Sequence, residues 1–497
     1  VNIKPRINIF LPFILFVILG AILLGSFYDY PIVRNSLIYA AIIQGISESS
    51  LWQAVEFAQN KPLGFAILSW PISDFFGENL GLKISSWLWT ACFGLMAIFF
   101  MQYLASQVYS TNKQQIKQQL FTAIFICLFN PLILYQFISA YPDTLFATLF
   151  LAAILSFERV LAKDGHWLFG LLASTLVFLS IWIKHHGFIL IPLFIVMAIY
   201  QYASLREQWQ MQSKRIKFSI ICFLILFALL NDAQQGELTL FNMSQNHNNF
   251  LGGENRFSII AANLENLLIF SLLCFSSLLP ILFYFPAYKH QAYFVIPLLL
   301  VFILPILYYK GAQYNIRYFI AIIPILAWII AGQIQQWPHK LRYIGLSLFI
   351  LCNTFSITYY HHLTFNQWVQ KIISLPKIDN LRLISEQYVE KQNLTLIKRY
   401  AETHNKTLLY FSDYYKQGTY GVWQKAGLLP KDLQIHYFMQ WPVDYFEHHP
   451  IEKAIVYEYI GVGAPMNTMP NNSQLTPYLT KLSKQLYLFD STHKLSL

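Results

Sequence analysis

The sequence predicts an α-helical polytopic membrane protein with about eleven transmembrane helices, followed by a small C-terminal α/β soluble domain. Three observations predict it. Of 497 residues, 56% are hydrophobic, 17% aromatic and only 12% charged, with a mean hydropathy of +0.44; an ordinary soluble domain carries about 25% charged residues. Apolar runs of the ~20 residues needed to cross a bilayer recur from the N-terminus to about residue 360. Beyond residue 361 the texture changes, with frequent charges and short β-like runs.

In order along the chain, Lys4 and Arg6 precede the apolar run from Ile9 to Leu24, and no small-residue cleavage site follows it. An uncleaved first helix is therefore expected over 9–27. Residues 28–83 form a long loop with two stretches suited to interfacial helices, Ile32 to Ile46 and Leu63 to Phe76, the second cut by Pro71. Trp52, Trp70, Trp87 and Trp89 fall where belt residues lie at a membrane surface. Spans then follow at 84–105, 119–139 and 143–161. The last two flank the corner Ala140-Tyr141-Pro142-Asp143-Thr144, where Pro142 sets the turn and Asp143 falls at or near a helix N-cap. A tight hairpin, 167–184 with 187–203, turns at His185-His186-Gly187. The 217–231 run is the shortest, 258–286 is long enough to tilt, and 291–309, 318–335 and 343–360 complete the set. In the tail, Thr407 to Phe411, Lys453 to Tyr457 and Gln485 to Phe489 read as strands, and Leu383 to His404 as an amphipathic helix. The expected domains are 1–360 and 361–497.

The net charge of +10 is no nucleic-acid signal, because the cations cluster in short loops between apolar runs. With the N-terminus inside, nearly every loop on that side is basic: Lys4 and Arg6; Lys113 and Lys117; Arg159 and Lys163; Arg206, Lys214, Arg215 and Lys217; Lys289; Lys340 and Arg342. This satisfies the positive-inside rule. Residues 28–83, the Asp143 corner, His185-His186, 232–257, 310–317 and the tail then share the outer face. All five cysteines lie in apolar runs, so they read as small buried hydrophobes and offer neither a disulfide framework nor a thiolate metal site.

Two outer-face carboxylates stand out because each ends a spanning helix: Asp29, in Tyr28-Asp29-Tyr30-Pro31, and Asp143. An ionisable group there points to a wet cavity or a cationic partner, although an exposed loop acid and a helix cap are the plain alternatives. Such a pair can divide the work of a displacement, one acid taking a proton from an attacking hydroxyl and the other orienting the acceptor or holding a cation. The complementary cations are Lys61, Lys184, Arg256 and Arg317. On the face that disfavours cations an anionic phosphate is the usual partner of several such groups, a snorkelling anchor being the plain alternative for any one of them. Arg34, Tyr141, His185, His186 and Tyr318 complete the candidate pocket. Adjacent histidines on one turn rarely share an ion, so no metal ligand set is assigned.

The order of these features resembles the GT-C superfamily of membrane glycosyltransferases, especially family 39 and its relatives, the protein O-mannosyltransferases and the enzymes that move aminoarabinose onto lipid A. Asn60-Lys61-Pro62-Leu63-Gly64-Phe65 is similar to the family's Lys-Pro-Pro-Leu loop end with its second proline missing. The stretch from Asp74-Phe75-Phe76-Gly77 to Lys83-Ile84-Ser85-Ser86 resembles the segment that follows it. Asn130-Pro131 through Tyr141-Pro142-Asp143-Thr144-Leu145 looks like the second acidic motif, Lys184-His185-His186-Gly187 like the lysine–glycine turn, and Tyr314-Asn315-Ile316-Arg317-Tyr318-Phe319 to Pro324 like the start of a late helix. One departure stands out. If Tyr39-Ala40 is the family's Tyr-Ala pair, Asn35 and Ser36 occupy the first acidic motif, and Asp29 is the nearest acid.

The resemblance implies a GT-C-like catalytic domain over 1–360. The implied reaction transfers a sugar from a polyprenyl-phosphate-linked donor to a lipid, glycan or protein acceptor, with inversion, at the periplasmic face of a bacterial inner membrane. Asp29 would serve as base and Asp143 as second carboxylate, with Lys61, Lys184, Arg256 and Arg317 on the donor phosphate. Membrane lipids are the surrounding partners and nucleic acid is not one. No cofactor is prescribed and a divalent cation is left open. An outer-leaflet polysaccharide polymerase or ligase, and a lipid-linked sugar flippase or transporter, remain as alternatives. The flippase predicts ionisable groups deep in helices, and apart from Glu265, near the start of its helix, the spanning runs contain almost none.

Overall fold

The structure, a computed structural model, describes residues 10–33, 35–48, 62–106, 113–162, 165–204, 209–233, 316–335, 340–349, 379–403, 406–411, 421–438, 453–458, 479–482 and 486–490, with 258–261, 263, 264, 303, 337 and 338. The fold is mostly helical with one small sheet. Two compact units divide it: residues 1–27, 60–65 and 83–381 form the first, and residues 28–59, 66–82 and 382–497 the second.

The first unit is a helical bundle. Its helices are α1 (Phe10–Phe27), α4 (Glu78–Ser106, entering the unit at Lys83), α5 (Lys113–Leu128), α6 (Pro131–Ser139), α7 (Asp143–Leu161), α8 (Trp167–Ile183), α9 (Leu190–Ser204), α10 (Trp209–Ala233) and α11 (Ile323–Ile334). Short 3-10 turns, His185–Ile189 and Ile316–Ile322, precede α9 and α11. Among the described residues three helices are long and apolar enough to cross a membrane (α1, α4 and α7), or four if α5 and α6 form one bent span. The expected span over 291–309 apart from residue 303, nearly all of 258–286 and most of 343–360 lie outside the described residues.

Where the sequence predicts one span over 119–139, the chain makes two helices bent by 44°. The break is at Asn130-Pro131. Asn130 is the N-cap of α6, its side-chain oxygen accepting from the Leu132 amide at 3.0 Å, and Pro131 takes the first helical position, where a missing N–H is harmless. Helices α5 and α10 start earlier than their apolar runs because Lys113-Gln114-Gln115 and the mostly polar Gln210 to Arg215 continue the helix. At the far end of α7, the Arg215 guanidinium donates to the Ala162 carbonyl at 2.9 Å, closing that terminus with a cation from α10. Within the unit α7 packs on α8 and on the Ile316–Ile322 turn, α8 on α10, and α5 on α11. Those two contacts of α7 position the site.

The second unit combines α2 (Asn35–Glu48), most of α3 (Gly64–Phe76), α12 (Asp379–Thr403) and α13 (Gly421–Lys425) with a five-stranded sheet. Its strands, β1 (Thr407–Phe411), β2 (Gln434–Phe438), β3 (Lys453–Glu458), β4 (Leu479–Lys481) and β5 (Leu486–Asp490), run in the order β2-β1-β3-β5-β4. The first three are parallel, with Leu408 opposite Ile435 and Ile455, and β5 joins β3 and β4 antiparallel. Leu408, Leu409, Ala454, Ile455, Val456 and Leu486 fill its core. The Tyr457 hydroxyl donates to Glu390 of α12, which binds helix to sheet. Both segments expected to form interfacial helices, Ile32 to Ile46 and Leu63 to Phe76, are helical as α2 and α3.

Candidate active site

The corner between α6 and α7 forms because α6 stops at Ala140, whose backbone is left-handed (φ 54°, ψ 40°). For a residue other than glycine that conformation costs roughly 1–2 kcal/mol, and the corner around it is fully packed, with Ala140, Tyr141 and Thr144 all buried. Pro142 is the N-cap of α7 and makes no side-chain cap hydrogen bond. Asp143, near the N-cap as the sequence predicts, is the first residue of the helix and not the cap itself. Its carboxylate, 2% exposed, turns instead to two cations.

Lys184 binds Oδ1 through its ammonium group. The Arg317 Nε lies 3.6 Å from Oδ2, and its guanidinium stacks on the Tyr141 ring with Cζ 3.9 Å from the centroid. Lys184 also lies over the Phe146 ring, 5.7 Å from its centroid. Two cations thus converge on one carboxylate in a largely buried place. A hydroxyl ladder fixes the helix that carries Asp143. Thr144 and Thr90 share a hydrogen bond of 3.1 Å, Thr90 donates to the Ser86 carbonyl at 2.7 Å, and Ser86 donates to the Gln136 carbonyl at 2.6 Å. This ties α4, α6 and α7 together behind the carboxylate.

Lys184 follows the last turn of α8, its own amide donating to the Ser180 carbonyl at 2.9 Å. The chain then folds tightly back, with the Gly187 amide donating to the Lys184 carbonyl at 2.9 Å. A Cβ on Gly187 would come within 2.5 Å of the Ile181 nitrogen and the Ser180 carbonyl carbon. Both are backbone atoms that cannot step aside. Gly187→Ala is therefore expected to displace the turn that carries Lys184 and to destabilise the protein by about 1–3 kcal/mol, the usual cost of forcing extra volume into a packed place. Thermal unfolding of the purified variant checks it. Gly64 approaches the same helix end, where a Cβ would lie 2.9 Å from the Trp182 carbonyl oxygen.

Burial pushes the Lys184 amine down to about 8, with Arg317 adding to the effect and Asp143 opposing it. His186, in the turn after Lys184, is held well below its usual value by burial first and then by Lys184, His185 and Arg317. It is a neutral imidazole at physiological pH.

The structure brings Asp143, Lys184, Arg317 and Tyr141 together, with His185 and His186 on the adjoining turn. Tyr318 lies in the Ile316–Ile322 turn, its side chain outside the described residues, as are Lys61, Arg34 and Arg256. Asp29 belongs to the second unit. There the Lys391 ammonium donates to its Oδ2 at 2.5 Å and sits 4.4 Å from the Tyr30 ring centroid. Asn79 clamps the same loop, accepting from the Ile32 amide at 2.8 Å and donating to the Tyr30 carbonyl at 3.1 Å. Sequence reasoning missed Lys391, since nothing local marks one lysine of an amphipathic helix as the partner of a residue 362 positions away. It also missed Thr144 and Phe146, which read as ordinary helix residues.

Among the described residues no three His, Cys, Asp or Glu side chains converge as metal ligands.

No family model matches the sequence, and no curated protein does. Solved structures do match it. ArnT from Cupriavidus metallidurans bound to undecaprenyl phosphate aligns over 97% of this chain and 98% of its own, at 11% identity and a TM-score of 0.60. The same protein in the apo state aligns over 96% and 97%, at 13% identity and a TM-score of 0.58. The likeness covers both chains nearly end to end. The chain shares the fold of these two ArnT structures.

Proposed function

We propose that this chain is a glycosyltransferase that moves a sugar from a polyprenyl-phosphate-linked donor to an acceptor at the periplasmic face of the inner membrane, on a scaffold of about eleven spans. The observation that carries the reading is the buried cluster of Asp143, Lys184 and Arg317, in which two cations converge on one carboxylate. It occurs in a chain whose fold is shared, over nearly its whole length, with an ArnT crystallised with undecaprenyl phosphate.

A leaving lipid phosphate gathers negative charge as the glycosidic bond breaks, and cations already oriented stabilise it without reorganising. Lys184 supplies a point charge and Arg317 a planar fork held flat on Tyr141. Asp143 keeps the two mutually repelling cations convergent. Asp29 is the general base. It takes the proton of the acceptor hydroxyl as that oxygen attacks the anomeric carbon, the bond from that carbon to the phosphate oxygen breaks, and its electron pair leaves on the phosphate. A single displacement inverts the anomeric centre. Lys61 and Arg256 are further candidates for the donor phosphate, and the acceptor is a lipid, a glycan or a protein hydroxyl.

Turnover of a labelled polyprenyl-phosphate sugar by the purified protein tests this reading. Asp29→Asn is expected to lower the rate by about 10²- to 10⁴-fold, the usual worth of a general base, with the folded protein recovered in normal yield. Full turnover by Asp29→Asn would remove that residue from the role of base. No turnover of any polyprenyl-phosphate sugar by wild type would remove the reaction class.

A further inference from the structure

The C-terminal segment is joined to the Asp29 loop by several independent contacts. Residues 382–497 form one compact unit with residues 28–59 and 66–82. The Trp423 indole, 1% exposed, donates to the Ile32 carbonyl at 3.3 Å. Gly421 packs on the Gln44 side chain, and Lys425 lies 3.7 Å from Glu78. The contact with chemical content is Lys391, which binds Oδ2 of Asp29 and simultaneously covers the Tyr30 ring. Asn79 fixes the backbone on the other side of the same residues.

From this we infer that Lys391 is a positioning residue for the Asp29 carboxylate, so that the soluble C-terminal segment is a constituent of the catalytic machinery. The inference rests on reading Asp29 as the base. A carboxylate on a short loop has free rotation about its side-chain bonds, and a base must present one oxygen to the acceptor within hydrogen-bond reach. With the ammonium of Lys391 on Oδ2, the rotation is arrested and Oδ1 is the oxygen left for the acceptor proton. The Tyr30 ring under the ammonium fixes the lysine in turn, a cation–π contact that persists at a partly exposed site. The pair itself is too exposed to act as a structural brace, with side chains 37% and 42% accessible. Its effect is expected on chemistry and not on folding.

The experiment compares the full-length wild type with Lys391→Met, Lys391→Arg, Asp29→Asn and the double variant, using labelled polyprenyl-phosphate sugar. Lys391→Met is expected to lower kcat on the order of 10- to 100-fold, with KM for the lipid donor and the thermal unfolding temperature unchanged. Lys391→Arg recovers most of the rate. In the Asp29→Asn background Lys391→Met has no further effect, because the group it positions is gone. Lys406→Met, which removes a fully solvated pair with Asp432, is the neutral control. If Asp29→Asn is inactive while Lys391→Met turns over at the wild-type rate, the positioning role is wrong and the base stands. If Asp29→Asn is itself active, the underlying assignment of the base has failed. If Lys391→Met unfolds, Lys391→Gln, which keeps a donor of similar reach, takes its place: folded protein with lowered kcat supports positioning, and folded protein with wild-type kcat means a structural link only.

Discussion

Asp143→Asn is expected to slow sugar transfer by about 10²- to 10³-fold and, unlike the other variant foreseen for this site, also to weaken the fold. In the native protein the Asp143 carboxylate lies against two cations, Lys184 and Arg317, that are 13% and 8% exposed. Asparagine keeps the shape and loses the charge, so the two cations then repel each other across a neutral amide. Breaking a buried pair by removing one partner typically destabilises by about 3–5 kcal/mol. With the cations no longer convergent, stabilisation of the leaving phosphate falls by about 10²- to 10³-fold. Unfolding in detergent and labelled-donor turnover measure the two effects separately. A variant that keeps wild-type stability and rate would show that the cluster is a bystander.

The second large effect concerns Lys184. Its amine titrates at about 8 because burial, reinforced by Arg317, disfavours the charge that Asp143 supports. It is therefore mostly protonated below pH 8 and neutral above. If its positive charge receives the donor phosphate, kcat/KM for the donor declines as pH rises through about 8, since that ratio reports ionisations of the free enzyme. Lys184→Met is expected to lower kcat/KM about 10²- to 10³-fold at pH 7. Lys184→Arg, whose guanidinium keeps its charge at any accessible pH, is expected to retain part of the rate and to lose the decline near pH 8. Rate profiles of wild type and Lys184→Arg between pH 6 and about 10, bracketing that titration, check it; an unchanged alkaline limb in Lys184→Arg would assign the titration to another group.

Much of the scaffold was legible because membrane helices and turn chemistry are local. The run from Leu145 to Val160, the Pro142 corner and the Gly187 turn each announce themselves in a few adjacent residues, and α1, α7 and α8 match their expected bounds closely. Helix ends were less legible because an apolar run measures lipid contact, whereas a helix such as α10 continues through Gln210, Gln212, Lys214 and Arg215. Strands β2 and β4 were missed for a related reason. Gln434-Ile435-His436-Tyr437-Phe438 mixes polar and aromatic residues without a run, and β4 is three residues long. Within the site, the sequence named Asp143, Lys184 and Arg317 separately but could not say that they touch, since the contacts join residues 41 and 174 positions apart through the packing of α7 against α8 and the Ile316–Ile322 turn. The bland reading of Asp143 as a cap was excluded only by the side chain's actual partners.

The most direct test of the lipid-phosphate site is binding itself, without any acceptor or chemistry. Purified wild type in detergent is titrated with undecaprenyl phosphate and followed by native mass spectrometry, beside Lys184→Met, Arg317→Met and the double variant. Saturable binding by wild type, weakened in each single variant and lost in the double, is the expected result. Equal retention of the lipid phosphate by wild type and the double variant would contradict the assignment of Lys184 and Arg317 to that phosphate.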